Sequence, residues 1–148
     1  MREFQGRVVV PGQCTAKALV SRKGFNTLAS FQKSLLKKDL RAICSDQNNS
    51  DLFGKEMAKT ALCLPQTIGS TTGGMVLFSA AAMGAAPACL LFSRSIDSLA
   101  AAGAVLSDVW TDFSLPTVDR LGEDFLDYVK DGMQIEILEG GKVIVREG

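Results

Sequence analysis

The stretch that decides the fold is Thr60–Phe78, which reads TALCLPQTIGSTTGGMVLF. Its first half is an apolar run of strand type, which breaks into a turn rich in glycine and hydroxyl side chains before an apolar helix begins near Thr72 or Gly73. The unpaired backbone N–H groups at that helix start point back at the turn, as does the positive end of the helix dipole. They can hold a carboxylate or a phosphate beside the hydroxyl of Ser70. The pattern therefore predicts the active site at this turn.

The same turn also fits a simpler structural role. Ser70 or Thr71 can act as the N-cap of the helix, which is a common use of a hydroxyl side chain. The turn matches neither standard phosphate-binding glycine spacing, because the Walker loop requires Lys after its last glycine and Gly74 is followed by Met75 here. The local pattern leaves both roles open.

Composition limits the class of protein. The chain has 148 residues, 47% of them hydrophobic, so it can bury a core as one domain. Sixteen Lys and Arg residues balance sixteen Asp and Glu residues without forming a dense basic stripe, so nucleic acid is not an expected partner. No uninterrupted apolar run reaches about eighteen residues, and Met1–Gln5 lacks the apolar core of a signal peptide. We expect a cytoplasmic protein with no membrane partner.

Cysteine and histidine content limits the chemistry. Four cysteines, at positions 14, 44, 63 and 89, form no Cys-x-x-Cys pair, so we expect buried free thiols and no metal or cluster bound by this chain. The sequence contains no histidine, which excludes Ser-His-Asp and Cys-His hydrolase schemes. Chemistry by this chain alone would rest on Ser, Lys, Tyr128 or carboxylates. This shortage favours a partner that supplies the metal.

Strand and helix patterns alternate around the turn. Strands are expected near Gly6–Val10, Thr15–Val20, Ala61–Leu64, Ala88–Phe92 and Gly103–Leu106. Helices are expected at Met75–Met83, which Gly84 ends, and in a short segment near Ser95–Ala102. The segment Gly24–Phe31 fits either strand or loop, and the polar stretch Cys44–Asp51 indicates an exposed loop. The succession of strand, helix, strand, helix and strand predicts parallel pairing with crossover helices.

The C-terminal end has a different pattern. Met133–Leu138 alternates apolar and polar residues, and Glu139–Gly141 turns it into Lys142–Arg146, which predicts a β-hairpin that meets the N-terminal strands. No internal repeat, low-complexity tract or linker composition occurs in the sequence. We therefore expect residues 1–148 to form one α/β domain with a C-terminal hairpin.

Several short motifs together point to a family. They are Gly6–Gly12, Ala18–Ser21, Gly69–Gly73, Gly84–Ala88, Gly103–Ala104 and Asp131–Met133. With these motifs the chain resembles, over nearly its whole length, the small subunit or swivel domain of the aconitase X family. The resemblance implies a compact swivelling β/β/α architecture. It also implies a larger partner subunit that carries an iron–sulfur cluster, while this chain delivers a serine to the same cleft and binds no cluster itself.

The resemblance assigns roles around the turn. Ser70 corresponds to the catalytic serine and would act as the base, while a cluster iron acts as Lewis acid on the departing hydroxyl. Gly69, Thr71, Thr72 and Gly73 would contact substrate, Thr72 standing where ordinary aconitases carry arginine. That position therefore lacks an arginine clamp for a substrate carboxylate.

Two further candidates lie outside the turn. Arg94 follows the strand Ala88–Phe92 at the end where ligands gather in parallel sheets, although a surface role explains it equally well. Asn26 lies in Arg22–Phe31, where the usual Ser-Phe-Trp-Gly-Gly-Val-Asp-like stretch of the family is altered, and it fits either a substrate contact or a turn cap.

The predicted function is that of a hydro-lyase small subunit in a heterodimer, acting on a small hydroxy acid. We expect cis-3-hydroxy-L-proline as substrate, with mevalonate 5-phosphate as the alternative within the family. A non-catalytic module that binds an anion or scaffolds a partner is the alternative from another class, and a purely structural subunit is a third.

Overall fold

The computed structural model describes residues 1–68, 73–110 and 114–147, apart from the side chains of Leu99, Asp108 and Trp110. The strands in these residues are β1 (Arg2–Gln5), β2 (Arg7–Val10), β3 (Cys14–Val20), β4 (Phe25–Asn26), β5 (Ala61–Leu64), β6 (Thr67–Ile68), β7 (Cys89–Phe92), β8 (Thr117–Asp119), β9 (Gln134–Ile137) and β10 (Lys142–Arg146). The helices are α1 (Thr27–Lys37), α2 (Gly73–Met83), α3 (Ser98–Trp110) and α4 (Glu123–Tyr128). No helix in the described part of the chain is both long and apolar enough to cross a membrane.

One sheet of eight strands organises the chain, in the order β1-β10-β9-β3-β5-β7-β8-β2. The central strands β3, β5, β7 and β8 are parallel to one another, and all other pairs in this sheet are antiparallel. The first and last strands in this order, β1 and β2, are separated in sequence by Gly6 alone. The sheet therefore curls until its two edges nearly meet.

Gly6 permits this closure. Its backbone N–H donates to the carbonyl oxygen of Gly141 at 2.9 Å, in the turn between β9 and β10. A Cβ atom added at Gly6 would lie 2.6 Å from the carbonyl oxygen of Asp119, so only glycine fits between the strands.

Two cores form on the two faces of the curled sheet. Side chains alternate along β7, so Leu90 and Phe92 pack under the helices while Cys89 and Leu91 face the interior of the curl. The outer core gathers residues from α1, α2 and α3, and the inner core gathers residues from strands at both ends of the order and from α4. Both faces of the central strands are buried, which explains their continuous apolar runs.

Several sequence predictions are confirmed. Strands near Gly6–Val10, Thr15–Val20 and Ala88–Phe92 correspond to β2, β3 and β7, and α2 ends before Gly84, whose φ of 83° is left-handed. Strands β9 and β10 form the predicted hairpin, and they pair with β3 and β1 near the N-terminus. Helix α2 connects the parallel strands β5 and β7, as the alternating pattern indicated.

The predicted strand Gly103–Leu106 is wrong, because these residues lie inside α3. The short helix predicted near Ser95–Ala102 is the start of the same element, which runs from Ser98 to Trp110. Ala100 and Ala104 of α3 are buried, but Val105 on the opposite face is apolar and exposed. Because both faces carry apolar residues, the sequence does not show the apolar–polar periodicity that is typical of a surface helix. The strand that follows α3 and pairs in parallel with β7 is β8.

Two ambiguous segments are now defined. Gly24–Phe31 contains the two residues of β4 and the start of α1, because Asn26 caps the helix with its side chain. The polar stretch Cys44–Asp51 is not fully exposed as predicted, since Cys44, Asp46 and Asn49 are buried. Asn49 is buried because its side chain bonds Ser21 Oγ at 3.1 Å and accepts from the backbone of the following turn.

Helices α2 and α3 cross at a point where each contributes a glycine. A Cβ atom added at Gly103 would lie 2.8 Å from Cα of Gly74, so the two backbones touch there with no room for a side chain. The same atom at Gly73 would lie 3.6 Å from Thr27, which is ordinary contact. The position of α2 on the sheet therefore depends on Gly103.

We expect Gly103→Ala to lower the free energy of unfolding by about 1–3 kcal/mol, because the added methyl group forces the helices apart. Urea denaturation of the purified chain measures this change. Gly73→Ala is the matched control, since it adds the same atom to α2 where there is space. Equal stability of the two variants would contradict the close crossing.

Candidate active site

The carboxyl ends of β3, β5, β7 and β8 lie at one edge of the sheet, where parallel α/β proteins bind ligands. Backbone hydrogen bonds tie together the loops that leave this edge. Ser93 N donates to Leu64 O at 2.9 Å, and Arg94 N donates to Pro65 O at 3.2 Å. Arg120 N in turn donates to Arg94 O at 3.1 Å. The loops after β5, β7 and β8 therefore form one continuous rim.

The described residues on both sides of the predicted catalytic turn lie at this rim. Ser70, Gly69, Thr71 and Thr72 lie outside the described residues, so their roles stay predictions. The residues that flank them are described: β6 precedes the turn and α2 follows it. Strand β6 pairs in parallel with β4, and the entry to the turn therefore lies beside the start of α1.

Gly73 and Asn26 lie close together at this edge. A Cβ atom added at Gly73 would be 3.6 Å from Thr27 Oγ1, which places the start of α2 beside the first residue of α1. Asn26 Oδ1 accepts from the backbone N–H of Ala29 at 3.1 Å, so its side chain caps α1. The structure therefore shows Asn26 as a helix cap, one of the two roles that the sequence allowed. A substrate contact by Asn26 stays a prediction.

Helix starts dominate the electrostatics of the rim. The first turns of α1, α2 and α3 contain no acidic residue. The starts of α1 and α2 meet at Thr27 and Gly73, and the loop before α3 contacts β6 through Asp97 and Thr67. The positive ends of α1 and α2 therefore lie at the entry to the turn and favour an anionic ligand, whereas the carboxylate of Asp97 offsets the positive end of α3.

Arg94 lies on the rim, as its position after β7 predicted. Its guanidinium nitrogen Nε is 3.5 Å from Glu123 Oε1, and its side chain is 57% exposed. Such an exposed ion pair contributes little to stability, so the arginine can exchange Glu123 for another anion at small cost. The backbone N–H of Arg94 is hydrogen-bonded to the loop that leads to β6. Among the described residues, no hydrogen bond joins the Arg94 side chain to Asn26.

Sequence reasoning missed Asp97 and Asp119, two carboxylates beneath the rim. Asp97 is the residue before Ser98, and its side chain accepts from Ala100 N at 2.9 Å, so an N-cap signal was present in the sequence. Asp119 is fully buried at the end of β8 and binds Arg7 through both carboxylate oxygens, at 2.9 and 2.7 Å. No local pattern marks Asp119, because its partner is far away in sequence.

The cysteines of this chain do not fit an iron–sulfur cluster. Cys44 lies in the outer core and Cys63 and Cys89 in the inner core, all three buried, so the four cysteines cannot all converge on one site. Burial raises the pKa of Cys44 and Cys63, which disfavours the thiolate that a cluster requires. Among the described residues no group of three or more Cys, His, Asp or Glu side chains is arranged to hold a metal ion.

Cys14 differs from the other three thiols. It is half-buried, and the thiol of Cys89 donates a hydrogen bond to its sulfur. This bond lowers the pKa of Cys14 and raises the pKa of Cys89, which burial raises further. All four cysteines are free thiols, as expected from their spacing.

Comparison with known proteins identifies the family. A sequence model of the aconitase X swivel domain matches residues 3–145. The chain is 27% identical over 146 residues to the phosphomevalonate dehydratase small subunit of Thermococcus kodakarensis, covering 98% of this chain and 97% of that one. It is 35% identical over 95 residues to the phosphomevalonate dehydratase small subunit of Methanothrix thermoacetophila, and this match spans 64% of each chain.

Solved structures share the fold. The crystal structure of Thermococcus kodakaraensis aconitase X in its holo-form superposes with a TM-score of 0.83 at 25% identity, over 99% of this chain and 100% of that chain. The solution NMR structure of a UPF0107 protein superposes with a TM-score of 0.79 at 23% identity, with the same coverage, and this likeness concerns the fold alone.

These findings confirm the predicted α/β swivel fold and the resemblance on which it was based. The relatives are named as subunits of dehydratases, which agrees with the predicted hydro-lyase subunit. Because the family model spans residues 3–145, nearly the whole chain, this protein belongs to the aconitase X swivel-domain family.

Proposed function

We propose that this chain is the small subunit of a phosphomevalonate dehydratase, a hydro-lyase that removes water from mevalonate 5-phosphate. The observation that carries the proposal is the end-to-end similarity to the small subunit from Thermococcus kodakarensis, supported by further relatives of the same name. These relatives favour the alternative substrate over cis-3-hydroxy-L-proline, which was the first expectation.

Ser70 is the proposed base of the elimination. A serine hydroxyl is a weak base in water, so it requires nearby donors that stabilise the alkoxide. The start of α2, three residues after Ser70, supplies a positive helix end with no acidic residue in its first turn. Glycines at 69 and 73 allow the backbone to approach a ligand closely, and the hydroxyls of Thr71 and Thr72 add donors.

The electrostatics of the rim suit a substrate with both a carboxylate and a phosphate. The starts of α1 and α2 meet at the entry to the turn, and Arg94 lies on the same rim, where its ion-pair partner among the described residues is the exposed Glu123. Helix starts and arginine are the groups that proteins use for such anions. We assign the phosphate or the carboxylate to this surface, with Thr72 donating where ordinary aconitases use arginine.

The partner is proposed to be a large subunit that holds the iron–sulfur cluster, since three of the four cysteines of this chain are buried and are divided between two separate cores. The outward surface of α2 and α3 supports a partner at this place. Met75 is 67% exposed and Val105 is 44% exposed, and α2 contains no charged residue. Since α2 begins next to the catalytic turn, a subunit that covers the turn also meets this apolar surface.

Ser70→Ala is expected to lower kcat for mevalonate 5-phosphate by about a thousandfold or more in the assembled enzyme, because it removes the group that is proposed to take the proton. Steady-state kinetics of the reconstituted two-subunit enzyme measure this loss. If Ser70 were only an N-cap, the change would cost about 1 kcal/mol of stability and little rate.

Thr15→Val is the control for this test, since it removes an exposed hydroxyl near the amino end of β3, at the edge of the sheet opposite the rim. Turnover by Ser70→Ala within tenfold of wild type would overturn the catalytic assignment and leave an anion-binding module. Turnover of cis-3-hydroxy-L-proline in place of mevalonate 5-phosphate would reassign the substrate while keeping the serine.

Val105→Asp is expected to raise the Kd for the large subunit at least about tenfold, because an unpaired carboxylate must then be buried in the interface. Valine and aspartate have similar helix propensities, so α3 should persist. Titration by isothermal calorimetry or analytical ultracentrifugation measures the change.

Leu36→Asp is the matched control, since Leu36 of α1 is 77% exposed and lies outside the α2–α3 surface. Equal weakening by both variants would contradict this interface.

A further inference from the structure

Asp97 connects two elements that meet at the rim. One of its carboxylate oxygens, Oδ1, accepts a hydrogen bond from Thr67 Oγ1 on β6. The other, Oδ2, accepts from the backbone N–H of Ala100 at 2.9 Å and so caps α3. A residue that only capped the helix would need one oxygen. The second contact ties the strand before the catalytic turn to the start of α3.

Thr67 lies three positions before Ser70. Strand β6 consists of two residues and pairs only with the two residues of β4 among the strands described. So short a ladder holds its strand weakly. The bond from Thr67 to Asp97 is therefore a substantial part of what fixes the entry to the turn.

The loop that carries Asp97 is itself anchored in the sheet. The backbone N–H of Ile96 donates to Asp119 Oδ2 at 2.8 Å. Asp119 is fully buried, and Arg7 binds both of its oxygens, so a charge-assisted network compensates the buried carboxylate. The loop that carries Asp97 is thus anchored to β8 through Asp119 and to β2 through Arg7. The hydrogen bond from Thr67 to Asp97 therefore fixes β6 relative to these strands.

We propose that Asp97 is a positioning residue for the reaction, which fixes the approach of Ser70 to the substrate by holding Thr67. This inference rests on the proposed function of Ser70. A displacement of about 1 Å at a reacting group can cost up to about a hundredfold in rate, so the effect of a lost restraint falls on kcat.

Thr67→Val tests the proposal, because it removes the hydroxyl while keeping a β-branched side chain on β6 and leaving the cap of α3 intact. In the assembled enzyme we expect kcat for mevalonate 5-phosphate to fall about tenfold, with KM and the melting temperature nearly unchanged. Thr67→Ser restores the hydroxyl and should return kcat to within about twofold of wild type.

Thr60→Val is the matched control. Thr60 Oγ1 donates to Met57 O at 2.7 Å just before the other end of β5, so this variant loses a comparable bond at the opposite edge of the sheet. Its kcat should equal that of wild type. Asp97→Asn keeps an acceptor for Ala100 but removes the charged partner of Thr67, and it should lower kcat about threefold.

Wild-type kcat in both Thr67→Val and Asp97→Asn would overturn the positioning role, as would an equal loss in Thr60→Val. Ser70→Ala separates this result from the proposed function. An inactive Ser70→Ala enzyme beside a fully active Thr67→Val enzyme would overturn only the role of Asp97. An active Ser70→Ala enzyme would overturn both.

Discussion

The passage of the chain through Gly6 is the constraint on which the rest of the structure depends. Strand β1 pairs with β10 and strand β2 pairs with β8, yet a single residue separates β1 from β2. The sheet can satisfy both pairings only by curling, and a side chain at Gly6 would strike Asp119 and Val118. The curl encloses the inner core on one face and leaves the other face for α1, α2 and α3.

Local signals determined which parts of the fold were predictable. The pattern around β5, α2 and β7 and the hairpin of β9 and β10 follow from hydrophobic period and turn chemistry, which act over a few residues. Strand β1 pairs with β10 at the other end of the chain, and no local pattern records that pairing. Helix α3 was misassigned for another reason: apolar residues on both of its faces erase the period that distinguishes helix from strand.

The same distinction applies to the site. Glycine and hydroxyl chemistry singled out the turn at residues 69–74, and the rule for parallel sheets placed Arg94 on the correct edge. Asp97 and Thr67 are thirty residues apart, and their contact exists only because β5 and β7 are neighbours. Asn26 is a different case, because an asparagine suits both a helix cap and a ligand contact, so the residue type alone does not distinguish the two roles. Its hydrogen bond from the backbone of Ala29 identifies the cap.

Closure of the sheet also determines where α2 begins and which surface it exposes. The curl places the carboxyl ends of the central strands on one rim and turns the helices outward from the same strands. Helix α2 therefore begins at the rim, where its dipole acts on the turn, and exposes an uncharged surface along its length. Under the proposed function, a large subunit bound to that surface restrains the same helix that stabilises the serine alkoxide. Gly103 sets the position of α2 against α3, so under the proposed function packing, assembly and catalysis share one helix.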